Sequence, residues 1–343
     1  MAASTPPAGI PEAASRSTSD RKMRAIVQKQ YGTADELVMG EIDRPTIEPG
    51  DVLLQVRAAG LDRGTWHLMA GQPYAVRLVS GMRAPKSAVP GRDVAGVVVA
   101  VGSGVTRFRI GDEVFGISKG SFAEFAAARE DKLARKPSNL TFEQAAAMSI
   151  SGLTALRGLG DVGRLQAGQK VLIVGASGGV GTYAVQIAKA LGAEVTGVSS
   201  TGKIDLVRSI GADHVIDYTH DDFADGENKY DLILDMAGNS SLSRLRRALA
   251  PRGTLVIGGG EGGGRWFGVG RQLRALIVSL FVRQRLTSFI VKEHHAGIER
   301  LAELAEKGQL VPVIERVYPL SDVPEAMRHL VGGHARGKLV ITP

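Results

Sequence analysis

One stretch constrains the fold more than any other. The apolar run Val171-Leu-Ile-Val174 leads into Gly175-Ala-Ser-Gly-Gly-Val-Gly181, which passes without a break into Thr182-Tyr-Ala-Val-Gln-Ile-Ala-Lys-Ala-Leu191. A buried strand thus ends in a glycine-rich turn that opens a helix. Ala176, Ser177, Gly178, Gly179, Val180 and Gly181 form the G-x-G-x-x-G fingerprint, with Ala in the first Gly place. The glycines allow a tight turn and let the backbone approach a pyrophosphate. The helix start supplies unpaired N–H groups and the positive end of the helix dipole. The stretch predicts a dinucleotide site at the edge of a parallel α/β sheet.

The rest of the chain divides around this unit. From Met23 to about Arg135, short β-rich segments alternate with Gly and Pro turns: Arg24–Val27, Asp51–Val56, Gly96–Val101, Gly111–Phe115 and Phe122–Ala126. Such punctuation predicts a compact β domain. From Lys170 the pattern becomes strand–helix alternation, with strands expected at Val171–Gly175, Glu194–Ser199, His214–Tyr218, Asp231–Met236 and Thr254–Gly258. Helices are expected at Val180–Leu191 and Leu242–Leu249. Repeated βα units imply a doubly wound parallel sheet. The predicted organisation is a disordered tail over 1–22, a β domain over 23–150, a nucleotide-binding domain over 151–300, and a segment over 301–343 that returns to the first domain through Gly337–Thr342.

The end of the second strand reads the choice of cofactor. An acidic residue there would hold a ribose 2′-hydroxyl. Here Glu194-Val-Thr-Gly-Val198 ends in Ser199-Ser-Thr-Gly-Lys203. Hydroxyls of Ser199 and Ser200 and the Lys203 ammonium suit a 2′-phosphate, which predicts NADPH. Tyr218, closing the third strand, joins them. Gly258 and Gly259 open the run Gly258-Gly-Gly-Glu-Gly-Gly-Gly264 after the fifth strand, where a backbone can lie against the cofactor. Arg265-Trp-Phe267 follows, and Phe289 and Ile290 lie on a later strand candidate.

Composition removes several classes of function. The chain has no cysteine among its 343 residues, which excludes disulfides, thiol nucleophiles and thiolate zinc sites. The net charge of +7 is scattered, so no nucleic-acid partner is expected. The Ala-, Ser-, Thr- and Pro-rich tail has no apolar run, and the location expected is cytoplasmic. Ala275–Val282 is the longest apolar stretch. It is too short to span a bilayer, where about 20 residues are needed, and is read as a helix packed on the sheet.

Smaller motifs carry a resemblance. Ala58-Ala-Gly60, Gly91-Arg-Asp-Val-Ala-Gly-Val97, Val101-Gly102, Gly111-Asp-Glu-Val114, Gly152-Leu-Thr-Ala155 and Gly337-Lys338, together with the nucleotide loop, resemble the medium-chain dehydrogenase/reductase superfamily. The resemblance covers the chain from about Met23 to Pro343. It implies an α/β fold with an N-terminal GroES-like β domain and a C-terminal Rossmann domain, a small-molecule substrate and a homodimer. Zinc enzymes of this superfamily use a Cys, a Gly-His-Glu segment and often a second Cys. Their positions here hold Asp62, Gly91-Arg92-Asp93 and Ile150. An arginine is not an ordinary zinc ligand, and two carboxylates without imidazole or thiolate make a poor site. No metal site is therefore expected, and the chain resembles the zinc-independent quinone oxidoreductase and enoyl reductase branch.

Without a Lewis acid, hydride addition to a quinone or conjugated alkene is the less demanding reaction, because charge spreads onto a distant oxygen. The resemblance marks Tyr74 as a candidate proton donor, His67 as a candidate proton relay, Asp62 as a polar residue in the cleft or, on the other reading, an ion-pair partner of Arg92 or Arg63, and Thr154 as a residue facing the nicotinamide. Two alternatives stay open: an NAD(P)-dependent alcohol or aldehyde dehydrogenase, and a non-catalytic NADPH-binding sensor or partner protein.

Overall fold

The computed structural model describes residues 22–259, 270–333 and 335–343. Six parallel strands form one sheet in the order His214–Asp217, Glu194–Ser199, Lys170–Val174, Tyr230–Asp235, Leu249–Ile257, Arg285–Ser288. The chain reverses direction of growth at Lys170–Val174, so the fingerprint loop that leaves this strand lies at the topological switch point, where ligands of such sheets bind. From Val171 onward the strand is apolar because both its faces are covered. Val171 and Ile173 point into one core with Tyr183, Ile187 and Leu234, whereas Leu172 and Val174 point into another with Ile233, Leu255 and Leu286.

A seven-stranded sheet builds the GroES-like part. Its order is Ile314–Pro319, Lys338–Thr342, Asp51–Leu61, Asp93–Val101, Glu113–Ile117, Leu133–Arg135, with Phe125–Arg129 also pairing with Asp51–Leu61. Lys338–Thr342 runs antiparallel to Asp51–Leu61, so the end of the chain is built into the sheet of its beginning.

Several expectations need correction at their edges. Lys22 belongs to the strand Lys22–Val27, not to the tail. Asp51–Leu61 and Asp93–Val101 are longer than expected, because flanking Ala and Gly residues continue the pairing. Glu113–Ile117 and Phe125–Arg129 begin two and three residues later than expected, since the glycines before them form turns. Leu249–Ile257 begins five residues before Thr254. Its pairing with Tyr230–Asp235 breaks around Pro251 and becomes continuous at Thr254. Phe289 and Ile290 lie beyond the strand Arg285–Ser288. Ala275–Val282 falls in the helix Gly270–Ser279 and its exit; only Ala275 is buried, so the packed-helix expectation holds for one face alone. Among the described residues, no helix is long and apolar enough to cross a membrane.

Candidate active site

The fingerprint loop separates two uses of glycine. A Cβ at Gly181 would lie 2.0 Å from the Gly175 carbonyl oxygen and 2.8 Å from Ala176, so the helix packs on its own turn only without one. Gly178 differs. It caps the helix Gly179–Ala190 at φ −84° and ψ 176°, extended backbone open to any residue, and a Cβ there would meet only the Gly175 oxygen at 3.4 Å. The fold leaves that space open, on the side where a pyrophosphate would approach. Among the described residues, the N–H groups of Gly179, Val180 and Gly181 have no acceptor. Ala176 is fully buried, with Gly197 of the second strand packed on it, so it acts as a packing residue; Ser177 is buried, and its carbonyl accepts from Gly337 N at 3.0 Å.

The second strand ends beside two cations. Ser199 is buried, and Ser200 starts the turn Thr201–Lys203. Lys203 Nζ donates to the Ala335 carbonyl at 3.0 Å. Burial pulls its ammonium below the ordinary pKa; Glu315 opposes that pull and Arg336 adds to it. The exposed Arg336 guanidinium lies 3.7 Å from where a Cβ of Gly202 would stand, and its backbone N–H is held by Glu315 at 2.7 Å. Arg336 is the residue that sequence reading missed. It is far along the chain, and its only signal was its place next to the motif Gly337-Lys338. Tyr218 is half exposed just beyond the third strand, its N–H donating to Ser199 O at 3.1 Å. The nearby carboxylate, Asp217, is engaged by the hydroxyls of Thr201 and Thr219, which hold it below its usual range. This corner offers a ligand open space over Gly202 and two cations, and its carboxylates Asp217 and Glu315 are both engaged.

The third region is a buried polar cluster between the sheets. Asp93 is completely buried. Its carboxylate accepts from Ile150 N at 2.8 Å and from Lys338 Nζ at 3.3 Å, while Lys338 also donates to Ser151 Oγ at 3.1 Å. Burial pushes the Asp93 carboxyl up to about 7, against the pull of Lys338. Asp62 caps the helix Arg63–Ala70, accepting from Thr65 N at 2.9 Å and Thr65 Oγ1 at 3.2 Å. Arg92 is ion-paired with Glu293, which Lys132 also meets at 3.0 Å. The expected pairing of Asp62 with Arg92 is thus corrected: Glu293, arriving from beyond the sixth strand, has taken the guanidinium. The carboxylates at the superfamily's ligand positions are committed to a cap, a lysine and a backbone N–H, with a guanidinium between them. These residues do not fit a zinc ion. Among the described residues, no group of three His, Asp or Glu side chains could hold one.

The remaining candidates each have partners of their own. Thr154 lies on the helix Ser149–Leu156, its hydroxyl donating to Ile150 O at 2.6 Å. His67 Nδ1 is 2.7 Å from Gln72 O, on the loop that follows its helix. Tyr74 stands in the next turn with the Arg77 guanidinium 4.8 Å over its ring, and Arg77 also covers Tyr31. Gly258 and Gly259 donate their N–H groups to Asp235 O at the end of the fourth strand, where Asp235 is ion-paired with Arg271. Phe289 packs against Gly158 and Gly258. The run 260–264 and Arg265, Trp266 and Phe267 lie outside the described residues.

Comparison with known proteins agrees with this geometry. Residues 48–138 match the alcohol dehydrogenase GroES-like domain, and residues 210–341 match the zinc-binding dehydrogenase family. The chain is 33% identical over 337 residues to the 2-methylene-furan-3-one reductase of Solanum lycopersicum, spanning 94% of this chain and 79% of that one. It is 33% identical over 338 residues to the NADPH-dependent alkenal/one oxidoreductase of Arabidopsis thaliana, spanning 94% and 80%. The solved quinone oxidoreductase of Coxiella burnetii superposes with a TM-score of 0.84 at 28% identity, covering 94% of this chain and all of that one. The chain belongs to the medium-chain dehydrogenase/reductase superfamily, on its quinone oxidoreductase-like branch, and is a nicotinamide-dependent oxidoreductase.

Proposed function

We propose that this protein is an NADPH-specific, zinc-independent reductase of quinones and activated alkenes. One observation carries the reading: the polar floor of the cleft is a set of committed ion pairs, Asp93 with Lys338 and Arg92 with Glu293, in the place of metal ligands. Bound NADPH supplies a hydride. Gly178 and the start of the helix Gly179–Ala190 receive its pyrophosphate, and Lys203, Arg336 and Ser200 receive its 2′-phosphate. Thr154, Gly258 and Gly259 line the nicotinamide end. An oxygen that gains charge in the substrate needs donors and a proton, and Tyr74 is the donor in this reading, with His67 as the proton relay. Asp62 acts by holding the first turn of the helix that carries His67. The names of the similar proteins, which act on a methylene-furanone, on alkenals and alkenones and on quinones, support this substrate class. Family resemblance further supports a homodimer.

A panel of NADPH oxidation assays covering quinones, enones, enoyl thioesters and aldehydes, each with and without EDTA, tests the proposal. Turnover of quinones or enones that chelation leaves intact is the expected result. Activity confined to alcohols and aldehydes, lost on chelation, would replace it with a zinc dehydrogenase.

A further inference from the structure

Arg92 puts a permanent cation on the floor of the cleft, and most of its hydrogen-bonding capacity is unused. A guanidinium carries five N–H donors and keeps its charge at any working pH. Among the described residues, Glu293 is the one acceptor that the Arg92 guanidinium meets, through Nη2. Glu293 is itself shared, because Lys132 Nζ donates to its other carboxylate oxygen at 3.0 Å. A two-pronged pair, the usual geometry of an arginine that only holds a carboxylate, is therefore not formed. Asp62 and Asp93 act on the guanidinium through space, but their oxygens are bonded elsewhere, Asp62 to Thr65 and Asp93 to Ile150 N and Lys338. Nε and Nη1 have no acceptor in the protein and are not buried, and the side chain keeps 28% of its surface open.

Two ties place this open guanidinium. Val174, Asp235, Ile257 and Ser288 stand side by side in register at the carboxyl ends of their strands. The nucleotide loop leaves the first of them, Gly258 and Gly259 follow the third, and the segment carrying Glu293 follows the fourth. Glu293 thus holds Arg92 toward the edge at which such sheets bind a dinucleotide. On its other side, Asp93 meets Lys338, whose stem passes 3.3 Å from where a Cβ of Gly179 in the phosphate loop would stand. Asp62, whose charge reaches the guanidinium, caps the helix that carries His67.

We propose that Arg92 is a catalytic residue: its Nε or Nη1 donates a hydrogen bond to the carbonyl oxygen of the bound quinone or enone and holds the negative charge that reduction places there. The inference rests on the reductase reading above. When hydride from NADPH forms the new C–H bond at the β-carbon of an enone, the alkene π pair moves to make the bond between Cα and the carbonyl carbon double. The carbonyl π pair settles on oxygen, and NADP+ and an enolate result. Arg92 keeps its proton throughout, so the proton for Cα comes from a separate donor, Tyr74 or water. With a quinone, the same two electrons leave a hydroquinone anion, held in the same way and protonated by water. A fixed cation bonds the charged oxygen more strongly than the neutral carbonyl, and that difference lowers the barrier.

Arg92→Met, Arg92→Lys and Glu293→Gln test this through rates and a spectroscopic probe. Arg92→Met should lower kcat for an enone and for a quinone roughly 10²-fold, the loss of one oxyanion donor, with NADPH affinity held. Arg92→Lys should recover part of that loss, since the charge returns without the planar fork. Glu293→Gln keeps the guanidinium and should lose far less than Arg92→Met. In the complex with NADP+, p-nitrophenol reports the charge on its own oxygen, because the anion and the neutral phenol absorb differently. Arg92→Met should bind the anion at least ~10-fold more weakly than the wild type, the scale of a charge-assisted hydrogen bond, and the neutral phenol equally well. Equal losses of rate and melting temperature in Arg92→Met and Glu293→Gln would make Arg92 a structural partner of Glu293 and overturn the proposal. So would a wild type that takes up no anion, or anion binding that Arg92→Met leaves unchanged. Quinone or enone turnover that survives both EDTA and Arg92→Met removes Arg92 and leaves the reductase reading standing. Alcohol oxidation in place of such turnover removes that reading, while the probe still decides whether Arg92 meets an oxyanion.

Discussion

Gly178 and Gly181 stand three residues apart in one motif, and the structure predicts opposite phenotypes for them. Gly181→Ala introduces a Cβ at 2.0 Å from the Gly175 oxygen and 2.8 Å from two backbone atoms of Ala176. Real contacts of this kind are above 3 Å, so turn and helix must separate by about 1 Å, in a region where Val174, Ala176 and Ala184 are closely packed. Overpacking of such a site costs roughly 1–3 kcal/mol and more where backbone opposes backbone. At about 2–4 °C per kcal/mol for a protein of this size, the melting temperature of the cofactor-free protein should fall by roughly 5–10 °C. Gly178→Ala, by contrast, keeps an allowed extended conformation and a single contact at 3.4 Å. Its stability cost is confined to the exchange of Gly for Ala at a helix N-cap, within about 1 kcal/mol. Its Cβ enters the space left for the pyrophosphate, so NADPH affinity should fall by at least ~10-fold, and Gly178→Val should abolish it. Differential scanning calorimetry without cofactor and NADPH fluorescence titration separate the two effects. A Gly178→Ala protein that binds NADPH like the wild type would refute the placement of the pyrophosphate. A Gly181→Ala protein with unchanged melting would refute the packing argument.

Lys203→Ala and Arg336→Ala should each weaken NADPH by about 1–2 kcal/mol, the scale of a charge-assisted hydrogen bond, and leave NADH nearly unchanged; the double variant should fall short of the sum, since the two cations share one corner. Equal losses for both cofactors in the titration would move the phosphate elsewhere. Asp93, raised to about 7 by burial, holds in the folded state a proton that the unfolded chain releases near pH 4, so its contribution to stability is lost as pH climbs from about 4 to about 7. Lys338→Met removes the cation that pulls the Asp93 carboxyl down, so the carboxyl of the variant is pushed further up, and the loss of stability should be clearly larger above pH 8, where the wild type is ionised against Lys338, than near pH 6; thermal melts showing one constant loss across that range would count against the assignment. Tyr74→Phe should slow an enone roughly 10²–10⁴-fold with NADPH affinity unchanged, and slow a quinone less, because a reduced quinone can take its protons from water. Equal, near-wild-type rates for both substrates would remove Tyr74 from the proton path.

What was legible in the sequence were the features whose cause is local. The strand Lys170–Val174, its loop and its helix are written in consecutive residues. The alternation of Val171 and Ile173 with Leu172 and Val174 already implies two covered faces. Arg336 and Glu293 were not legible, because their roles depend on where distant loops return. Arg336 comes beside Lys203 where the returning segment is tied down, by Gly337 N to Ser177 O and by Lys203 Nζ to Ala335 O. Glu293 meets Arg92 across 201 positions of chain. The helix Gly270–Ser279 failed for another reason. Periodicity locates an apolar stripe but not which side of it the sheet occupies, and here Ala275 and Val278 were small enough to pack inward while the larger side chains stayed out.

Lys338 shows why the loss of metal ligands leaves a specific residue rather than a gap. The cleft floor is enclosed by the strand Asp93–Val101, the helix Ser149–Leu156 and the phosphate loop, and Asp93 is too deep to be left without a partner. In a metal-binding relative, such a carboxylate would sit beside a cation bound from solution. Here the cation is covalent. Its stem runs against the loop, 3.3 Å from where a Cβ of Gly179 would stand, and its ammonium reaches Asp93 and Ser151. One side chain thus ties together the last strand, the GroES-like sheet and the turn that receives the cofactor. A neutral residue at 338 would leave the cofactor loop less well held as well as the carboxylate unpaired. The same variant, Lys338→Met, should therefore weaken NADPH binding as well as stability, although its side chain is placed on no part of the cofactor. If stability fell at high pH while NADPH affinity held, the lysine would be a charge partner only.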